Sequence, residues 1–381
     1  MNKQILFILI VFLSQNYIAQ DAKFDSLVEA GINQIYNIKF DDAESTFQTL
    51  QLEYPKHPAG KFFSAMILWW EITLDKKNES YDDLFEEKME GVVDFCEDRL
   101  DENDKNVDAI FFKGGALGFK GRLYALRKQW FDAALDGKEA LPLVNEAYQI
   151  DPTNEDVKLG FGIYNYFAEA IPEKYPFVKP AMMFFPGGDK AKGIKQLEAA
   201  AEKAKYAGVE SQFFLMTLYY QFEQNYKKAF PYAETLHENF PDNPIFEKYL
   251  GRIIVKKGNY SKASKVFSSI NNKCGKKLKG YSKNLKREAT YYIANNYKMT
   301  GNIKEAIKYF EECEALSKII DKNADETSGF LINAVLYLGM LYDQADMRAD
   351  AINNYKEVLK YRKYGNSQKN AKKYLKKAYR K

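Results

Sequence analysis

Ala229, Ala263, Ala306 and Ala351 occupy the small-residue slot of one recurring template, and Phe267, Phe310 and Tyr355 follow the last three at a spacing of four. Ala233 takes the aromatic slot after Ala229 and so breaks the pattern once. Counted from Glu210 as position 1, Thr217, Tyr220, Ala229 and Pro241 fall at 8, 11, 20 and 32, and Pro244 opens the next unit 34 residues on. That unit places Gly251, Ile254, Ala263, Phe267 and Ile270 in the matching slots without a gap. Counts from Arg287 give Ala294, Tyr297, Ala306 and Phe310, and counts from Ile332 give Gly339, Tyr342, Ala351 and Tyr355. Near the N-terminus a count from Phe24 gives Gly31, Ala43, Phe47, Leu50 and Pro55. A period of this length is the mark of stacked supersecondary units, so it must be settled before any other motif is read.

Positions 20, 24 and 27 are four and three apart and share one helical face. Small residues at 8 and 20 let two helices approach closely, and the aromatic at 24 is expected to pack into the neighbouring unit. A helix pair of this size cannot bury its own apolar face, so each unit leans on the next. Proline at 32 stops the second helix.

The pattern resembles the tetratricopeptide repeat family over residues 24–57, 210–277 and 287–365. The resemblance implies an all-α, right-handed superhelical solenoid of about eight such helix pairs, closed by a C-terminal capping helix. Between these segments the template is stretched. Phe62, Ala65, Met66 and Trp69 read as a first helix whose partner, around Gly91, Val92 and Phe95, follows a polar and acidic insertion. Residues 105–150 read as two longer helices meeting near Trp130. A run from Leu159 through Gly160, Gly162, Ile171-Pro172, Gly187-Gly188-Asp189-Lys190, Gly193 and Leu197 is similar to a dispersed group of bacterial repeat proteins. It is more distantly similar to the mitochondrial outer-membrane and inclusion-body-clearance repeat family. For that group the resemblance implies a scaffold-like role and no catalytic residues.

The expected organisation is a signal peptide over residues 1–20, a divergent helical region with insertions over 21–207, a regular array over 208–366 and a basic capping helix over 367–381. Lys3, the apolar run Ile5 to Leu13 and Ala19 supply the three parts of an export signal. The apolar run is too short to be a permanent membrane anchor. A periplasmic or envelope-associated location follows as the expectation.

A hydrophobic content of 46% with 28% charged residues suits a continuous helical core. The three cysteines, Cys96, Cys274 and Cys313, carry no CxxC spacing and encode neither a disulfide framework nor a zinc site. Cys313 falls on core position 27, and a bridge from it to Cys274 is open. Only His57 and His237 are present, too few for a histidine-based triad or metal site. Gly187-Gly188-Asp189-Lys190 lacks the spacing of a phosphate loop, and Asp189 reads more simply as a helix N-cap. No enzymatic activity, cofactor or metal is expected.

Charge is uneven although the net value is only +4: fourteen acids oppose five bases between Asp75 and Asp108, whereas Tyr361 to Lys381 holds nine bases and no acid. Such an end suits an acidic protein partner or a peripheral contact with anionic lipid, and the compartment excludes nucleic acid. The family's groove positions, carried onto this chain, fall on Lys248 and Arg252 in one unit and on Glu288, Tyr291, Asn295 and Lys298 in the next. They imply a groove for an extended peptide. Reversing Lys248 and Arg252 to Glu is expected to abolish partner binding without touching the fold. Phe62, Met66 and Trp69 form an apolar strip in the corresponding N-terminal slots.

Two functions are therefore expected. One is a non-enzymatic exported scaffold or adaptor for a protein or peptide partner in the cell envelope. The alternative is a binding protein for a glycan, lipid or other small ligand, with an aromatic pocket built from the 171–188 insertion and the Trp69, Trp70 pair.

Overall fold

The computed structural model describes residues 22–179, 186–322 and 324–380. The export signal read from residues 1–20 lies outside them. The described residues are helical throughout, with no strand among them. None of the described helices is long and apolar enough to cross a membrane.

Two compact units divide between Asp242 and Asn243. The N-terminal unit contains α1 (residues 22–36), α2 (Phe40–Glu53), α3 (Ala59–Leu74), α4 (Asp82–Glu102), α5 (Val107–Leu126), α6 (Trp130–Ile150) and α7 (Val157–Lys174). A 3-10 turn, Pro176–Val178, follows, then α8 (Lys190–Lys203), α9 (Gly208–Gln221) and α10 (Tyr226–Asn239). The C-terminal unit contains α11 (Pro244–Lys256), α12 (Tyr260–Gly275), α13 (Lys283–Thr300), α14 (Ile303–Asp321), α15 (Gly329–Gln344), α16 (Arg348–Val358) and α17 (Ser367–Lys376). Within each unit, from α2 onward, every helix packs on the next one in the chain.

Local chemistry sets the helix starts. Asn225, Asn259 and Asn302 each accept a backbone N–H three residues on, opening α10, α12 and α14. Asn243, Ser282 and Ser328 do the same for α11, α13 and α15. Each cap satisfies a donor that the first turn leaves without a partner and contributes about 1 kcal/mol.

The repeat template acquires a physical meaning in the packing. The ring at position 24 sits on the small residue at position 8 of its own unit: Phe47 on Gly31, Phe267 on Gly251, Tyr355 on Gly339. It also reaches the following helix, where Phe267 stacks on Tyr292 at 4.6 Å and Phe47 on Phe63 at 5.6 Å. Each ring thus joins three helices, and all three rings are fully buried. The α7 to α8 contact rests on another device. A Cβ on Gly193 would stand 2.6 Å from the Tyr166 nitrogen and 2.8 Å from the Gly162 carbonyl oxygen, so these glycines let two backbones touch. That contact accounts for Gly162, Gly188 and Gly193 of the 159–197 run. Asp189 caps α8 by accepting the Lys192 N–H at 2.8 Å.

The capping helix is held by a buried acid. Asp343, whose side chain is fully buried, accepts bonds from Arg348, the Tyr355 hydroxyl and the Tyr379 N–H. Arg348 in turn donates to the carbonyls of Tyr374 and Leu375 at the end of α17.

Candidate functional site

The predicted groove residues stand on α11 and α13, and their charges are already engaged. Arg252 donates from Nε and a terminal nitrogen to the two Glu288 oxygens at 2.5 and 2.6 Å, and Glu288 is buried. Asn295 is buried and donates to the Tyr291 carbonyl at 2.8 Å. Tyr291 sits among Phe310, Phe330 and Tyr337, and its hydroxyl accepts from Asn333 at 3.4 Å. Lys298 lies 3.4 Å from the centre of the Tyr337 ring, and Lys248, half-buried, lies 5.7 Å from that of Tyr249. The expectation that Arg252 can be reversed without harm to the fold stands against this ion pair. The Arg252 guanidinium compensates a carboxylate that has almost no access to water.

The apolar strip has a different fate. Phe62, Met66 and Trp69 are all buried, and the first two line a half-open cavity of about 260 Å³ inside the N-terminal unit. Trp70, Phe112, Phe119 and Tyr206 add further aromatic surface to it. The 171–188 segment supplies none of its described residues to this cavity, and residues 180–185 are outside the description. The pocket foreseen at that insertion is instead built by α1, α3, α5, α6 and α7, with Glu210 at the start of α9.

The cavity exists because this unit closes on itself. The Tyr36 hydroxyl on α1 donates to Glu210 Oε2 at 3.2 Å, Lys205 pairs with Asp25 at 2.5 Å, and the Trp70 and Phe213 rings lie 5.7 Å apart. Arg122 completes the closure from α5, donating to Glu210 Oε1 at 2.9 Å across 88 residues of chain. Its guanidinium carbon stands 4.5, 4.6 and 4.5 Å from the ring centres of Trp69, Phe119 and Phe214. Aromatic faces attract such a planar cation strongly once water is excluded. Burial pushes Arg122 below its ordinary pKa, with Glu210 acting in the opposite direction. Burial first, and then the Glu210 charge, pushes the Tyr36 phenol well up.

Asp156 also lines the cavity. It accepts the backbone N–H groups of Lys205, Tyr206 and Ala207 at 3.2, 2.7 and 2.7 Å and so fixes the turn between α8 and α9. Burial raises its pKa, and the three donated bonds pull it back.

Glycines shape the space. Those at 114, 115 and 121 of α5 meet neighbours within 3.2 to 3.3 Å of an added Cβ, a close approach that explains them. Gly118 on α5 and Gly137 on α6 differ, because a Cβ at either would meet nothing within 4 Å. Both line the cavity. A glycine inside a helix costs about 1 kcal/mol against alanine, and here no packing demands it.

Arg122, Glu210, Tyr36, Asp156 and the two glycines were not legible as a site. Four glycines at spacings of one and three within α5 were the available signal. Glu210, Trp69 and Phe214 reach Arg122 from helices distant in the chain, and no local pattern carries that information. No protein-family model matches the chain, and no curated protein matches it. Among the described residues, no cluster of acids, histidines and cysteines is arranged to hold a metal. All three cysteines are free thiols. Burial pushes Cys96 and Cys313 up to about 12 and Cys274 up to about 11.

Proposed function

We propose that this chain is a non-enzymatic binding protein of the tetratricopeptide-like class that holds an apolar small molecule inside its N-terminal unit. The observation that carries the reading is the half-open, aromatic-walled cavity with one buried charge cluster. A large apolar pocket with few convergent polar groups is the usual form of a small-molecule site. In this reading α1 to α16 form eight helix pairs of a right-handed superhelix, α17 is its cap, and the signal at residues 1–20 sends the chain to the cell envelope.

The test is extraction of the purified protein with organic solvent, followed by mass spectrometry of the extract. An apolar compound in near-stoichiometric amount is expected from the parent, and much less from Gly118→Leu, whose side chain would project into the cavity. Equal recovery from both would remove the cavity from consideration.

The C-terminal unit supports the second reading, a scaffold for a protein or peptide partner. The exposed lysines 369, 372, 373, 376 and 377 of the capping segment give it a basic face suited to an acidic partner or to anionic lipid. Cross-linking in the native envelope beside a Lys372→Glu, Lys376→Glu variant tests it. Loss of one cross-linked protein is the expected result, and an unchanged pattern would count against this face.

A further inference from the structure

The cavity's polar groups go further than its volume, because they restrict the kind of molecule it can hold. This step rests on the reading of the cavity as a binding site. Its charged lining residues are Arg122, Glu210 and Asp156, one cation against two carboxylates. Every carboxylate oxygen already holds a bond: the Glu210 oxygens accept from Arg122 and Tyr36, and both Asp156 oxygens accept backbone N–H groups. The donors are less fully engaged. Arg122 carries five N–H groups, and among the described residues Glu210 is its only hydrogen-bond acceptor.

A ligand group that reaches Arg122 must therefore accept a hydrogen bond. A carboxylate would accept, but it would add a third acid to a lining that already holds two, in a medium that screens charge weakly. An ammonium brings only donors and meets the Arg122 charge. A hydroxyl or carbonyl oxygen accepts without adding charge, while its apolar remainder lies against Phe62, Phe112 and the open space before Gly118 and Gly137.

We infer that the cavity selects a neutral apolar molecule bearing one hydroxyl or carbonyl oxygen, of the fatty-alcohol or apolar ketone type, and discriminates against the carboxylate and amine of the same tail. The volume suits this class. A cavity of roughly 150 Å³ already holds benzene, and this one is larger and half open.

The experiment compares 1-decanol, decanoate, decylamine and decane at neutral pH, read by the fluorescence of Trp69 and Trp70 and by native mass spectrometry. Decanol is expected to bind one to one and about tenfold more tightly than decanoate or decylamine, with decane in between. Decanoate or decylamine binding as tightly as decanol would overturn the inference and leave the cavity reading standing. If none of the four binds the parent chain, the cavity reading itself fails. Glu210→Gln provides the second arm, since it keeps the shape and frees the Arg122 charge. Decanoate should then gain about tenfold and overtake its parent-chain rank. An unchanged order in a variant of parental helicity would show that the polar end does not lie at Arg122, and would overturn the inference.

Discussion

The ring of Phe267 lies so close over Gly251 that a Cβ added to that glycine would stand 2.8 Å from it. The two residues are sixteen apart, the distance between positions 8 and 24 of the template, and Gly339 with Tyr355 repeats the arrangement. Gly251→Ala improves helix propensity by about 1 kcal/mol, yet it must displace a fully buried ring. We predict net destabilisation of about 1–3 kcal/mol, measured by urea unfolding. A stabilised variant would mean that the ring moves freely.

Ala263 faces the same packing from the second helix and is almost fully buried. Ala263→Arg should lower stability by more than about 3 kcal/mol, because both volume and an unpaired charge enter the core. Thermal melting followed by circular dichroism decides, and a parental melting temperature would disprove the repeat register.

Gly118 should respond with the opposite sign to Gly251. Nothing stands within 4 Å of its added Cβ, so Gly118→Ala gains helix propensity without a clash. An increase of up to about 1 kcal/mol in the ligand-free protein is expected from urea unfolding. A loss of stability would place an unseen neighbour at that surface.

Arg252→Glu should set a carboxylate against buried Glu288. The expected cost is about 3 kcal/mol, and Arg252→Gln should cost less. Lys248→Glu alone, at a half-buried position, should change the melting temperature little. Equal effects of the two reversals would argue against the Arg252 to Glu288 pair.

Asp136 on α6 titrates at about 6, raised chiefly by burial, and its Oδ2 is buried without a hydrogen-bond partner among the described residues. Its ordinary value is 3.8, so between these two the folded chain holds a proton that the unfolded chain has released. Stability from this residue is present below pH 4 and falls as pH rises towards 6. Asp136→Asn should remove that slope and raise the melting temperature at pH 7. A parallel pair of stability curves from pH 4 to 7 would contradict the assignment.

The sequence determined the helical class, the register of the regular repeats and the core slots, because a helix shows its buried face as a local spacing. Gly251, Ala263 and Phe267 could be placed from their numbers alone, and Asp189 could be read as a cap. The same spacing marked Phe62, Met66 and Trp69 as apolar, but it could not say whether they faced an outer groove or the interior of the unit. The tertiary structure decided that by bringing Tyr36, Arg122 and Glu210 together from three separate helices. It also paired Arg252 with Glu288. Which charges meet depends on how successive units stack, a property of the assembled helices that no single window of sequence contains.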